Sequence, residues 1–360
     1  MTPATERLET IIVGAGQAGL SVGHHLAKRD RPFLILDANG RVGDNWRRHW
    51  DSLRLYSPAC LDELPGMPFP APAWSFPTKD ETADYLDEYA THFELPIRSR
   101  TPVRAISKNG RGYIVACGDR RLEAENVVVA TGTFGRPHTP ECAAELDPGI
   151  RQVHSSEYKN PDSLRDGPVL VVGAAHSGAD VAMDLARDRE TVLCGRDTGQ
   201  VPFDIESRAG RAAWRVLSFL ARRVLTTRTP IGRKMRSEIR SHGGPLLRYK
   251  RTDLAAAGVE RVTARVVGAR DGLPLLGDGR VLEVANVIWC TGFKQDFSWI
   301  ELPVVGEDGW PHEERGVVPT AAGLYFTGLA FQYSFSSMLL LGAGRDAEHV
   351  AKHIIARHRG

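Results

Sequence analysis

The sequence predicts an α/β fold built from two similar halves, and three observations carry that expectation. A glycine-rich turn between an apolar strand and a helix occurs twice, at Gly14–Gly19 and Gly173–Gly178, 159 residues apart. An apolar strand ending in Thr-Gly also occurs twice, at Asn126–Gly132 and Asn286–Gly292, 160 residues apart. The composition is that of a packed protein, 42% hydrophobic and 25% charged over 360 residues, which argues against disorder. At ~150 residues per domain the length suggests about two.

The first half opens on Glu9–Val13, a buried strand, followed by Gly14-Ala15-Gly16-Gln17-Ala18-Gly19. A helical pattern through Leu20, Val22, Leu26 and Ala27 ends at Arg31-Pro32. Phe33–Leu36 is the next strand, with Asp37 at its end. This is a βαβ unit with the G-x-G-x-x-G fingerprint of dinucleotide binding. Gly14 permits the tight turn, Gly16 leaves room for a pyrophosphate, and Gly19 lets helix and strand approach. The helix N-terminus, around Gln17 and Ala18, offers N–H donors to phosphate. Asp37 is placed to accept hydrogen bonds from a ribose diol.

In the second half the strand Val169–Val172 runs into Gly173-Ala174-Ala175-His176-Ser177-Gly178, a helical stretch and the strand Thr191–Leu193. Ala175 replaces the middle glycine, which pushes the backbone slightly away from the pyrophosphate and suits a looser or less buried nucleotide. Arg196 stands where Asp37 stood, and an Arg pairs with a ribose 2′-phosphate. That favours NADPH, with NADH left open; a solvated loop cation is the bland reading of Arg196. His176 reads as a helix-start residue near the phosphates. A third strand, Leu324–Phe326, ends in Thr327-Gly328 and leads to a helix from about Ser337 to Ala356. This tail has no repeat partner and should return to complete the first half. The expected division is 1–165 with 285–360 for the first domain and 166–284 for the second.

Composition excludes several classes. No apolar run reaches the ~20 residues of a membrane span, and the N-terminal charges Glu6, Arg7 and Glu9 do not suit a signal peptide. Five widely spaced cysteines contain no Cys-x-x-Cys pair, so zinc or a redox dithiol is not expected, and a reduced, cytoplasmic setting is. A net charge of +2 does not indicate a nucleic-acid partner. That average hides residues 206–251, where thirteen Lys or Arg face only Glu206 and Glu238. Trp214, Leu217, Phe219, Leu220 and Val224 are interleaved there with Arg215, Arg222 and Arg223, a helical insertion in the second domain. A channel lid, contact with a membrane surface, a guide for anions and a solvated basic helix all remain open for it.

Four further stretches carry a family resemblance. Gly43-Asp44-Asn45-Trp46 is similar to G-G-x-W, with Asp in place of the second glycine. Leu53–Pro58 with Glu63–Pro70, His154–Tyr158, and Trp289–Phe293 complete the set. With the two glycine turns they resemble two-dinucleotide flavoproteins, and within these the class B flavin-dependent monooxygenases, especially YUCCA-type indole-3-pyruvate monooxygenases and short bacterial flavin monooxygenases. The match at His154 covers only the second half of that family's signature, since Pro148 and Ile150 stand where Phe and Gly are expected.

The resemblance implies FAD on the first turn and NAD(P)H on the second. It implies hydride transfer to flavin, reaction with O2 to a C4a-(hydro)peroxide, and oxygenation of a small molecule. A sulfide, an amine or an α-keto acid would be the substrate. Trp46, Val103, Thr131, Gly132 and Gly328 would join Gly14–Gly19 and Asp37 around FAD. Gly173, His176, Ser177, Gly178, Arg196, Thr291 and Gly292 would hold NADPH. Tyr56, Ser57 and Gln332 would line the oxygenation side, and no metal is implied. The alternative is a flavin-dependent oxidoreductase passing electrons from NAD(P)H to a protein or small acceptor. A homodimer is left open.

Overall fold

The structure, a computed structural model, describes residues 6–358. β1 (Glu6–Val13) leads through α1 (Gln17–Ala27) to β2 (Phe33–Leu36), parallel to it with Ile12 opposite Ile35. The short α2 (Asp44–Arg47) and the long α3 (Lys79–His92) precede β3 (Ile97–Arg98). α3 starts where Thr78 and Glu81 cap each other's backbone N–H groups, the reciprocal arrangement that satisfies otherwise orphaned donors. β4 (Ala105–Asn109), β5 (Gly112–Cys117) and β6 (Arg120–Val129) form a meander whose last strand lies parallel to β1.

β7 (Arg136–Pro137) then carries the chain to a second sheet of β8 (Arg151–His154), β9 (Val169–Val172), β10 (Thr191–Cys194), β11 (Glu260–Val262) and β14 (Asn286–Trp289). α4 (His176–Leu185) joins β9 to β10. Between β10 and β11 lie α5 (Arg208–Phe219), α6 (Pro230–Ser241) and α7 (Arg251–Ala256), and a hairpin of β12 (Val266–Arg270) and β13 (Leu273–Leu276) precedes β14. β15 (Phe293–Lys294) leads back to β16 (Leu324–Phe326) and α8 (Leu340–His358).

The first sheet runs β3-β2-β1-β6-β5-β4 with β16 on β6; the second runs β11-β10-β9-β14-β8. In each, the strand before the glycine turn sits centrally, between a strand that follows it and the Thr-Gly strand. A crevice at the carboxyl ends of such strands is where open α/β sheets bind ligands. β9 and β14 are buried along their whole length, as strands of a parallel sheet covered on both faces must be. Their continuous Val-Leu-Val-Val and Asn-Val-Ile-Trp runs follow from that.

The tail returns to the first half: β16 pairs Leu324 with Val127, and α8 packs against α1. Two strands fall outside the boundaries drawn from sequence. β8 and β14 pair with each other, Val153 opposite Ile288, so both belong to the second sheet although 151–154 and 286–289 were assigned to the first domain. A short apolar strand shows that it is buried but not in which sheet.

The halves are not joined by loose linkers. The outgoing β7 and returning β15 pair antiparallel, Pro137 opposite Phe293. Trp50 and Leu53, from the segment between α2 and α3, are buried in the second half's core beside Tyr158 and Ile288. The insertion crosses as well. Thr227 N–H donates to the Tyr333 carbonyl at 2.8 Å, and Phe335 N–H to the Leu225 carbonyl at 3.0 Å. Arg236 of α6 reaches Glu313 at 2.9 Å, whose side chain has no exposed surface. The basic segment is thus pinned to the first half along one side, while Val216 and Phe219 remain about 60% exposed on the other. Among the described residues no helix is long and apolar enough to cross a membrane.

Candidate functional site

At the first turn the three glycines have different reasons to be glycine. Gly14 has φ +108°, and a Cβ there would lie 2.7 Å from the Ala130 carbonyl oxygen. A Cβ on Gly19 would overlap the Gly14 carbonyl. Both are required by the approach of α1 to β1 and β6. Gly16 is not: its φ of −82° suits any residue, and a Cβ would meet nothing within 4 Å. It faces an open cradle at the N-terminus of α1, which no side chain caps and whose first turn holds no acidic residue. Uncapped N–H groups and the positive end of the helix dipole make such a position an anion site.

Gly328, Gln17 and Asp37 make contacts at or beside this turn. Gly328 (φ +79°) packs on Ala18, since a Cβ would come within 2.8 Å of the Ala18 methyl. The Gln17 amide donates to the Met338 carbonyl at 3.3 Å. Asp37 accepts the Ala15 N–H at 2.6 Å and the Asn39 N–H at 2.7 Å. It therefore also clamps the turn, with lone pairs left on both oxygens for a ribose. Thr131 and Gly132 follow Ala130 directly, Thr131 exposed. Trp46 is half-buried and packs against the cores of both halves, whereas Val103 packs on the far side of the first sheet. The Asp44 replacement is harmless: Gly43 keeps the left-handed φ of +83°, and Asp44 begins α2 while accepting the Arg41 N–H at 3.0 Å.

The second turn repeats the frame. Gly173 has φ +109° and lies against the Cys290 carbonyl, and Gly178 lies against the Gly173 carbonyl. The α4 N-terminus, at Ser177 and Gly178, is likewise uncapped. Arg196, two residues beyond β10, is exposed and has no ion-pair partner among the described residues. His154 is buried, with Nδ1 2.8 Å from the Ser156 hydroxyl and Nε2 3.0 Å from the Gly292 carbonyl. Burial holds its pKa below the usual value, so a neutral ring fastens the Thr291–Gly292 loop. Thr291 itself donates to the His138 carbonyl. The Tyr158 hydroxyl donates to Asp184 of α4 at 2.8 Å.

Between the turns, the three residues expected on the oxygenation side separate. The Tyr56 hydroxyl donates to Asp180 of α4 at 2.8 Å, and its ring stands edge-on to His176 with centroids 4.9 Å apart. Tyr56 thus bridges the first half to the second turn. The His176 ring is turned into this contact; burial drops its pKa to about 4, and its Nδ1 has no hydrogen-bond partner. Gln332 is fully buried, and its amide donates to the Phe326 carbonyl at 2.6 Å, so it braces the turn after β16. Ser57 donates to Asp62 at 2.7 Å.

Sequence reasoning missed three of these partners. Asp180 is a carboxyl on the buried face of α4, raised to about 6 by burial against the opposing pull of Arg248 and Tyr56. Arg248 comes from the far end of the insertion. Its Nη2 donates to the Leu55 carbonyl at 2.6 Å, and its Nη1 lies 3.6 Å from Asp180. Asp62 is buried with Oδ2 unpartnered; burial raises it to about 7, and the Ser57 bond opposes this. A carboxyl at an apolar helical position was a readable signal for Asp180. Nothing local distinguishes Arg248 among thirteen cations, or Asp62 from its neighbour Glu63.

Asp62 has a pH consequence. From about pH 4 to its folded value near 7, the folded chain holds a proton that the unfolded chain has released. Stability from this group is full below that window and is lost as pH rises through it. The stability advantage of Asp62→Asn over wild type should be roughly 2 kcal/mol larger at pH 8 than at pH 5. Urea denaturation at the two pH values checks this, and parallel curves for both proteins would refute it.

The comparisons fit this geometry. The sequence profile of the pyridine nucleotide-disulphide oxidoreductases matches residues 11–204, from β1 through β10. An uncharacterized CzcO-like oxidoreductase of Geobacillus kaustophilus is 37% identical over 97% of this chain and 98% of its own. The indole-3-pyruvate monooxygenase YUCCA4 of Oryza sativa subsp. japonica is 30% identical over 96% of this chain and 87% of its own. Among solved structures, the flavin-containing monooxygenase from Stenotrophomonas maltophilia superposes with a TM-score of 0.79 at 25% identity, covering 98% of this chain and all of that one. The two glycine turns, the Thr-Gly strands and these full-length similarities lead to one assignment: this chain belongs to the pyridine nucleotide-disulphide oxidoreductase family and, within it, to the class B flavin-dependent monooxygenases.

Proposed function

We propose that the chain is an FAD-dependent monooxygenase that consumes NADPH and O2 and transfers one oxygen atom to a small organic sulfide, amine or α-keto acid. The open cradle at Gly16, on the uncapped start of α1, is the observation that carries the reading. Gly14–Gly19, Asp37, Thr131 and Gly328 would hold FAD; Ser177, Gly178, Thr291 and Arg196 would hold NADPH. Bound flavin supplies hydride acceptance and the activation of O2. The chain positions the two nucleotides and excludes water. Tyr56 and Asp180 close the gap between the halves, and His154 fastens the loop beside the second nucleotide. Substrate would enter between the turns, where Tyr56 meets Asp180.

The test is product, not cofactor consumption. Purified protein should retain FAD, oxidise NADPH, and incorporate one atom of isotopically labelled O2 into a small sulfide, a tertiary amine or indole-3-pyruvate. The rice relative's activity makes the last a natural choice. NADPH oxidation that reduces an added electron acceptor, with no labelled product from any substrate class, would replace this reading with the oxidoreductase alternative.

Arg196 decides between nucleotides. Arg196→Ala should weaken NADPH by roughly 1.5–3 kcal/mol, the worth of a charged hydrogen bond, and leave NADH nearly unchanged. Anaerobic flavin reduction over a range of each nucleotide measures this. Equal losses would remove Arg196 from the 2′-phosphate role.

A further inference from the structure

The insertion returns to the second sheet along a path that a solvated helix does not need. Gly243 and Gly244 have no left-handed backbone to explain them. Yet a Cβ on Gly243 would lie 2.7 Å from the Ala175 methyl, and one on Gly244 would lie 3.3 Å from Cε1 of His176. Both are free of side chains because this backbone lies directly on the second dinucleotide turn. The chain then continues to the loop after β10. Leu246 N–H donates to the Gly199 carbonyl at 3.0 Å and its carbonyl accepts from Val201 N–H at 3.0 Å. One segment therefore runs from the N-terminus of α4, where a pyrophosphate would bind, to the loop that follows Arg196, where the adenosine ribose would end. Ala175 occupies the position of Gly16, and where Gly16 faces open space, Ala175 faces Gly243.

The hold on the turn is slight compared with the hold at either end. Upstream, α6 is pinned through Arg236 and Arg240 to Glu313. Downstream, Arg248 sits between Asp180 and Glu206. Among the described residues, His242–Pro245 makes no hydrogen bond to residues 173–178, and His242 and Gly243 are exposed.

We propose that residues 242–245 form a strap across the second dinucleotide turn, and that nicotinamide nucleotide binds as the strap leaves Ala175. The Gly243–Ala175 contact then sets the affinity. This rests on the nicotinamide reading of the second turn. Observed affinity is the intrinsic affinity scaled by the fraction of molecules with the strap off the turn. Anything that disfavours the closed strap tightens binding, the reverse of what a side chain added to an ordinary binding wall does.

Two variants and one exchange measurement test this on the flavin-loaded protein. Gly243→Val overpacks the closed contact and should lower the calorimetric Kd for NADP+ by about tenfold, with flavin content unchanged. Ala175→Gly should shift Kd in the same direction, but it also frees the pyrophosphate path, so the exchange measurement carries the test should the first variant fold poorly. In the wild type, NADP+ should slow amide exchange at 173–178 and speed it at 242–246. Weaker or unchanged binding by Gly243→Val at full flavin content, or slowed exchange at 242–246, would overturn the strap while leaving the nicotinamide site intact. Failure of both nucleotides to bind any of the three proteins would overturn the nicotinamide reading itself, and the strap with it.

Discussion

Gly16→Val should purify as a folded, colourless protein. Its backbone conformation is open to any residue, and the added atoms enter empty space, so the chain itself has no reason to resist the change. The pyrophosphate of a dinucleotide does, because it must lie where the valine methyls would project. Loss of flavin should be essentially complete, with far-ultraviolet dichroism matching that of wild-type protein stripped of flavin. Gly19→Val is the contrasting control: its Cβ would overlap the Gly14 carbonyl, so it should fail to fold. Flavin released on denaturation, measured per mole of protein, reads the result. A yellow Gly16→Val with stoichiometric flavin would sink the assignment of the first turn.

The second large effect is expected at Arg248, which is far from both glycine turns in sequence. Arg248→Met removes the cation from a site where both partners are nearly buried, leaving Asp180 with Tyr56 alone. Breaking such a pair from one side costs about 3–5 kcal/mol. The carbonyls of Leu55 and Arg54 also lose their donor. The cost should depend on pH. Asp180 titrates near 6 in the folded protein, so at pH 5 it is largely neutral and needs no counter-ion, whereas at pH 8 it is charged. The stability gap between wild type and Arg248→Met should therefore be narrower at pH 5 than at pH 8 in urea unfolding. A gap independent of pH would show that the carbonyl bonds and packing matter, and the Asp180 charge does not. Arg248→Lys, which keeps the charge but not the planar fork, should fall between the two.

These two residues mark the limits of what could be read in advance. Gly16 is legible because a phosphate cradle needs a local pattern: an apolar strand, glycines at fixed offsets, then a helix. The elements around it were legible for the same reason, and β2 and β9 lie where their apolar runs place them. The duplication of the Thr-Gly strands was equally plain, and Val127 and Val287 occupy matching places beside β1 and β9. Arg248 carries no such pattern. Its partners are a carboxyl on α4, two carbonyls from the first half and Glu206 at the start of the insertion.

The basic insertion shows the same division. Its charge and helical character are plain in the sequence. Its attachment to the first half is not, because it depends on Glu313, Tyr333 and Phe335, each more than seventy residues downstream of its partner. By itself, then, the sequence determined the two nucleotide turns, the strands that carry them and the family to which they belong. These are properties of short contiguous segments whose backbone geometry and hydrophobic period are set by nearest neighbours. Only the tertiary structure decided which sheet β8 and β14 join, that Tyr56 and Gln332 serve as ties within the fold, and that Gly243 lies on Ala175. Those are long-range contacts, fixed when buried surfaces and buried charges find partners across the whole chain.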